Sequence, residues 1–292
     1  MGIVNRSLSV FGMKAGDKIE KEIPVAGIRS ISSLAYAADA HGGHFLDMIW
    51  TREAPSPMPI IIYFNGTGFH HTNKSRGSNI CRMLAKRGYL VINTEFRDLR
   101  RGVTVKDQIE DVLTMVRWLR KNSHRAQMDF DNVYIASSGY GSLMAFWTAL
   151  MFNGGRLTDA LGLEDPEIRI KGLGMFTGMT DTENGDAHMR RIAESIRRIG
   201  RTDPGLEETL LAWQNHDLRR MPPVFQVTSD SDSAYPDVVK MDRLLEMNRI
   251  PHELMEFEAG VNRTNCFMEE HTTTNECTRA ISRMLSFFEQ NQ

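Results

Sequence analysis

From residue 58 onward, short continuous hydrophobic runs alternate with amphipathic stretches. Ile60-Ile61-Ile62-Tyr63-Phe64 is unbroken and β-rich, the pattern of a strand buried on both faces of a parallel sheet. Tyr89-Leu90-Val91-Ile92-Asn93 and Val133-Tyr134-Ile135-Ala136 repeat that pattern, and residues 170–177, 223–228 and 252–257 add three strand candidates. Helical segments fall between them. Residues 73–87 form one, stopped by Gly88. A second carries Ile109, Val112, Val116 and Leu119 on one stripe, with Thr104 and Asp107 placed to cap its start. A third follows the strand at 133–136, and a last helix over about 276–289 shows Ile281, Met284, Leu285 and Phe288 on one face. This alternation predicts an α/β fold with a mostly parallel central sheet flanked by helices.

The first 50 residues read differently. Isoleucine, serine and tyrosine alternate through 28–38, and 44–51 is a further strand candidate, which predicts antiparallel strands at one sheet edge. The segment 183–218 is polar and helical and lies between two strands, so it reads as a small lid-like insertion in a single domain spanning 1–292.

Composition narrows the function classes. A chain of 292 residues buries about three quarters of its unfolded surface, so no metal or disulfide is needed to hold its core. Hydrophobic residues make up 41% and charged residues 25%, which excludes a disordered chain, a collagen and a coiled coil. Lys+Arg total 35 against 37 Asp+Glu, with no long block of one sign, so neither nucleic acid nor a membrane is an expected partner. Cys81, Cys266 and Cys277 lack the spacing of a disulfide framework or a zinc site, and no basic region followed by an apolar run opens the chain. A cytoplasmic protein with reduced thiols, without metal or cofactor, is expected; the oligomeric state stays open.

Three stretches fall beyond the carboxyl ends of strands, where an α/β sheet places its site. Asn65-Gly66-Thr67-Gly68-Phe69 follows the strand at 60–64, and its glycines let backbone N–H groups converge on an anion or oxyanion; the plain alternative is a tight turn. Ser137-Ser138-Gly139-Tyr140-Gly141 follows the strand at 133–136, in the place and shape of a nucleophile elbow. With Gly139 at its centre, the flanks are Ser137 and Gly141, both small. With Ser138 at its centre, Tyr140 would crowd the turn. The first register is favoured on that ground, and its centre carries no hydroxyl. Asp232 ends the acid loop after the strand 223–228, and Asn265-Cys266-Phe267 follows the strand 252–257. An acid is therefore present, but the expected histidine is not, and Asn265 has no titratable nitrogen to act as a base.

Taken together, these segments resemble the α/β-hydrolase fold, in particular the carboxylesterase and lipase group related to hormone-sensitive lipase. Asn65-Gly66-Thr67-Gly68-Phe69 is similar to that group's His-Gly-Gly-Gly oxyanion loop. Gly88 through Phe96-Arg97, Ile109-Glu110-Asp111-Val112 with Arg117-Trp118-Leu119, and Met221-Pro222-Pro223-Val224 up to Asp232 follow in the family's order. The resemblance puts the nucleophile at Gly139, the base at Asn265 and the acid at Asp232, with oxyanion N–H donors at Gly66, Thr67 and Tyr140. It therefore implies a scaffold that has lost ester hydrolysis and keeps a pocket for a small-molecule ester or acyl-like ligand. The alternative is a working carboxylic-ester hydrolase in which Ser138 attacks, His271 acts as base and Asp232 orients it. A collapsed pocket with a purely structural role is a third reading. Outside these stretches, His70-His71 read as lining the pocket mouth. Arg190-Arg191 and Arg197-Arg198 read as a solvated face, with an acidic ligand as the second reading.

Overall fold

The computed structural model describes residues 26–38, 43–100, 102–154, 156–162, 168–182, 185–211, 218–258 and 266–292. Eight strands form one sheet: β1 (Ile28–Ala35), β2 (Phe45–Thr51), β3 (Met58–Phe64), β4 (Leu90–Thr94), β5 (Met128–Ser138), β6 (Ile170–Phe176), β7 (Val224–Ser229) and β8 (His252–Phe257). Their order is β1-β2-β4-β3-β5-β6-β7-β8. β1 pairs with β2 and β2 with β4 in antiparallel fashion, and every later pairing is parallel. The antiparallel edge and the parallel centre are both as the hydrophobic pattern predicts.

The helices are α1 (Ser78–Ala85), α2 (Val105–Lys121), α3 (Ser123–Ala126), α4 (Gly141–Phe152), α5 (Arg156–Ala160), α6 (Ala187–Ile199), α7 (Pro204–Leu211), α8 (Tyr235–Met247), α9 (Phe267–Glu270) and α10 (Asn275–Gln290). Alternate residues of β3 point to opposite faces of the sheet, so each face has its own core. Ile60, Ile62 and Phe64 join the stripe of α2, the apolar residues of α4 and the apolar side of α6. Ile61 and Tyr63 join Ile80 and Leu84 of α1 and Ile281, Met284, Leu285 and Phe288 of α10. Every residue of α4 is buried, which is why its sequence is apolar all round rather than striped. Among the described residues, no helix is long and apolar enough to cross a membrane.

Some boundaries differ from the sequence reading, for local reasons. The helix expected over 73–87 is broken: Asn73 accepts the Ser75 N–H, a 3-10 turn runs over Lys74–Gly77, and the α-helix begins at Ser78. β5 starts at Met128, before the apolar run, because Met128 and Asp129 already pair with Met58 and Pro59 ahead of a register shift. α8 has no counterpart in the sequence reading, although Val238, Met241 and Leu245 mark its buried side. Within 183–218, the described residues form α6 and α7, which pack on each other, with α6 also against α2.

Two connections hold the loop after β3 in place. Asp111 of α2, buried, accepts from the Arg97 backbone N–H and, through both oxygens, from the Arg97 guanidinium, and it lies 2.9 Å from His44 Nε2. Gln108 Nε2 donates to the Phe69 and Arg97 carbonyls at 2.7 and 2.6 Å. The segment Asn65–Phe69 is thus tied to α2 as well as to its own strand.

Candidate functional site

The turn between β5 and α4 has Gly139 at its apex, with φ +45°, a backbone region that a side chain adopts only at a cost. The Gly139 N–H donates to the Phe176 carbonyl at 3.0 Å, and its own carbonyl accepts from Ser142 and Met179. Its neighbours are packed closely. A Cβ at Gly141 would run into the Asn65 and Phe64 carbonyls, and one at Gly68 into Tyr140. Ser137 Oγ bonds Ser142 Oγ at 3.0 Å and the Gly174 carbonyl at 3.1 Å, facing inward. Ser138 is fully buried, and its Oγ has no hydrogen-bond partner among the described residues.

The space over Gly139 is not open. A Cβ built there would lie 2.6 Å from Cys266 Sγ and 3.2 Å from the Gly66 carbonyl. Cys266 reaches this point because it takes φ +57° as it caps α9, with its N–H on Thr177 Oγ1 at 3.3 Å. Beside it stands Glu269 of α9, 4% exposed. Glu269 Oε1 accepts from the Tyr63 hydroxyl at 2.7 Å and from the Gly66 N–H at 2.9 Å, while Oε2 lies 3.6 Å from Arg76 Nε. Arg76 in turn donates to Glu270 at 2.8 Å. Burial raises the Glu269 carboxyl above the usual range, against the pull of Arg76, Tyr63 and Gly66. Burial, then the adjacent Glu269, push the Cys266 thiol up as well, so it stays protonated at neutral pH.

Of the N–H groups expected to hold an oxyanion, Gly66 thus donates to Glu269, and Thr67 donates to Asn65 Oδ1 at 3.1 Å. Asp232 follows β7 and is buried. Its Oδ1 accepts from the Ala234 N–H at 2.9 Å, and its Oδ2 has no hydrogen-bond partner among the described residues. Burial pushes its carboxyl up to about 6 despite the Ala234 bond. Asn265 lies outside the described residues. His271 ends α9, with its N–H on the Phe267 carbonyl at 2.8 Å, and no hydrogen bond joins it to Ser138 or Asp232.

Tyr140 turns away from the elbow toward α6. Its hydroxyl donates to Asp186, the residue that caps α6, and its ring stacks on His188 at 4.0 Å between centroids. His188 Nε2 lies 3.2 Å from His70 Nδ1, so one ring donates and the other accepts. Burial, then the neighbouring His70, push His188 down to about 4, and burial with Arg191 lowers His70, which keeps both rings neutral. His71 pairs instead with Asp98, at 3.9 Å.

Sequence reasoning placed the elbow, the loop after β3 and the acid loop, but passed over Glu269, Arg76 and Tyr63. Nothing local in the sequence says that Glu269, one of two adjacent glutamates, turns inward. Cys266 was legible only as an unpaired thiol beside Asn265.

A BD-FAE family model matches residues 46–233, from β2 through the acid loop and well over half of the sequence. The chain belongs to the BD-FAE family. No curated protein matches it. Among solved structures, Esterase B from Lactobacillus rhamnosis is similar at a TM-score of 0.81 and 19% identity, over 92% of this chain and 87% of that one. A bacterial heroin esterase reaches 0.67 at 13% identity, over 93% and 86%. An esterase from the archaeon Pyrobaculum calidifontis reaches 0.67 at 16% identity, over 98% and 90%. At such identities the likeness establishes the fold: this BD-FAE member has the α/β-hydrolase fold, built like esterases and lipases.

Proposed function

We propose that this BD-FAE member is an α/β-hydrolase scaffold without ester hydrolysis, which keeps a pocket for a small molecule. One observation carries the reading: the apex of the elbow is bare glycine backbone, and the protonated Cys266 thiol fills the space where a nucleophile's side chain would begin. The Gly66 N–H, turned to Glu269, supports it further. So do Gly139 and Asn265, since losing the nucleophile or the base alone removes on the order of a millionfold in turnover. The alternative, catalysis by Ser138, Asp232 and His271, needs a seryl oxygen within reach of an imidazole; the sealed Ser138 Oγ weighs against it. The ligand would be a small ester or acyl-like molecule, and the protein would work without metal or cofactor.

Restoration tests the reading. Gly139→Ser with Asn265→His puts back the missing groups, and Cys266→Gly removes the thiol that would collide with the new side chain. The triple variant should hydrolyse p-nitrophenyl butyrate at least about a hundredfold faster than the parent. A folded but inert triple variant would contradict the retained scaffold, and a parent with full activity would contradict the loss.

A further inference from the structure

A cavity of about 320 Å3 opens beside the elbow, past the His70–His188 pair, between the end of the loop after β3, the residues Leu99, Arg100 and Val103, and the face of α6. Arg191, Glu194 and Arg198 lie at i, i+3 and i+7 on α6, so they share one helix face, and that face lines the cavity. Arg190 and Arg197 are on the same helix but do not line it. A further guanidinium, Arg100, arrives from a separate segment. Among the described residues, none of these three arginines has an ion-pair partner. One carboxylate, Glu194, faces three guanidiniums, so the lining carries an excess of positive charge. One carboxylate offsets three like charges only in part, and the uncompensated repulsion costs free energy that a bound anion would remove. Leu99 and Val103 add an apolar wall. The volume sits at the small end of the range for small-molecule sites.

We propose that this cavity binds a small organic anion, its carboxylate or phosphate head held by Arg100, Arg191 and Arg198 and its apolar body against Leu99 and Val103. Guanidinium forks suit both heads, because each offers paired oxygens in a plane. The lowered basicity of His70, set by burial and by Arg191, is consistent with a positive field already present before any ligand arrives. The cavity lies beside the elbow rather than over it, so the inference goes beyond the reading above and adds an anionic ligand class at a separate place. Binding there involves no ester turnover, so its failure and the failure of that reading are separable.

Isothermal titration of the full chain at low salt, with phenyl phosphate, benzoate and neutral benzamide as probes, tests it. At least one anion should bind saturably at one site, about tenfold or more tighter than benzamide. The tighter of the two anions identifies the head group. Arg191→Gln and Arg198→Gln should each weaken that binding by about tenfold, while Arg197→Gln, off the cavity, stays within about twofold. All three positions are exposed, so thermal unfolding should report an intact fold in each variant. No saturable anion binding at millimolar concentration, equal binding of benzamide, or an equal loss in Arg197→Gln would overturn the proposal.

Discussion

At Gly139 two constraints coincide, a left-handed backbone and a neighbouring sulfur that leaves no room for a Cβ. Gly139→Ala should therefore cost about 1–3 kcal/mol in urea unfolding. Cys266→Gly should recover part of that cost, with a coupling of about 1 kcal/mol in a double-mutant cycle. Strict additivity would mean the sulfur is not where the packing puts it. Asp232 makes a second prediction. Its folded pKa is raised to about 6, above the value near 3.9 of an unfolded chain, so the folded state keeps a proton that the unfolded state releases. Stability from this group is complete below about pH 4 and falls as pH rises toward 6, by about 1–2 kcal/mol after solvent screening. In Asp232→Asn that part of the pH dependence should vanish, and unfolding at pH 4 and pH 6.5 checks it. A steeper loss with acid in the parent than in the variant would show the opposite, a carboxylate held ionised by a partner.

At the scale of elements, α6 is fastened to the elbow by Asp186, which caps the helix through the His188 and Met189 N–H groups and also accepts the Tyr140 hydroxyl. Asp186→Ala removes both roles. Hydrogen exchange should quicken across α6 while α10, on the other face of the sheet, keeps its protection, and the loss in stability should be about 1–2 kcal/mol. Equal exchange in α6 before and after would show that the apolar side of the helix alone holds it. Elements were readable where their cause is local. The Thr104 and Asp107 capping box is visible in four residues of sequence and is present in the structure. The continuous runs of β3 and β4 are equally direct, since strands covered on both faces have no polar side. β5 reads short in the sequence because Asp129, Asp131 and Asn132 interrupt its start, and Met128 and Asp129 take strand geometry from pairing with β3. The break at Asn73 depends on one side-chain bond that periodicity does not register.

For the whole molecule, the alternation of strands and helices was enough to reach the sheet and its antiparallel edge. The site was legible only in part. Gly139 and Gly141 announce a tight turn because no larger residue fits there. The partners that fill the turn come from Cys266 and Glu269, more than a hundred residues away along the chain, and pattern reading has no access to that contact. The account of lost hydrolysis rests on that filled turn. Its most direct test is the intact mass of the parent protein after incubation with a fluorophosphonate probe, beside the triple variant Gly139→Ser, Asn265→His, Cys266→Gly. The account predicts no adduct on the parent and one adduct per chain, at position 139, on the variant. A stoichiometric phosphonyl adduct on a serine of the parent would contradict it.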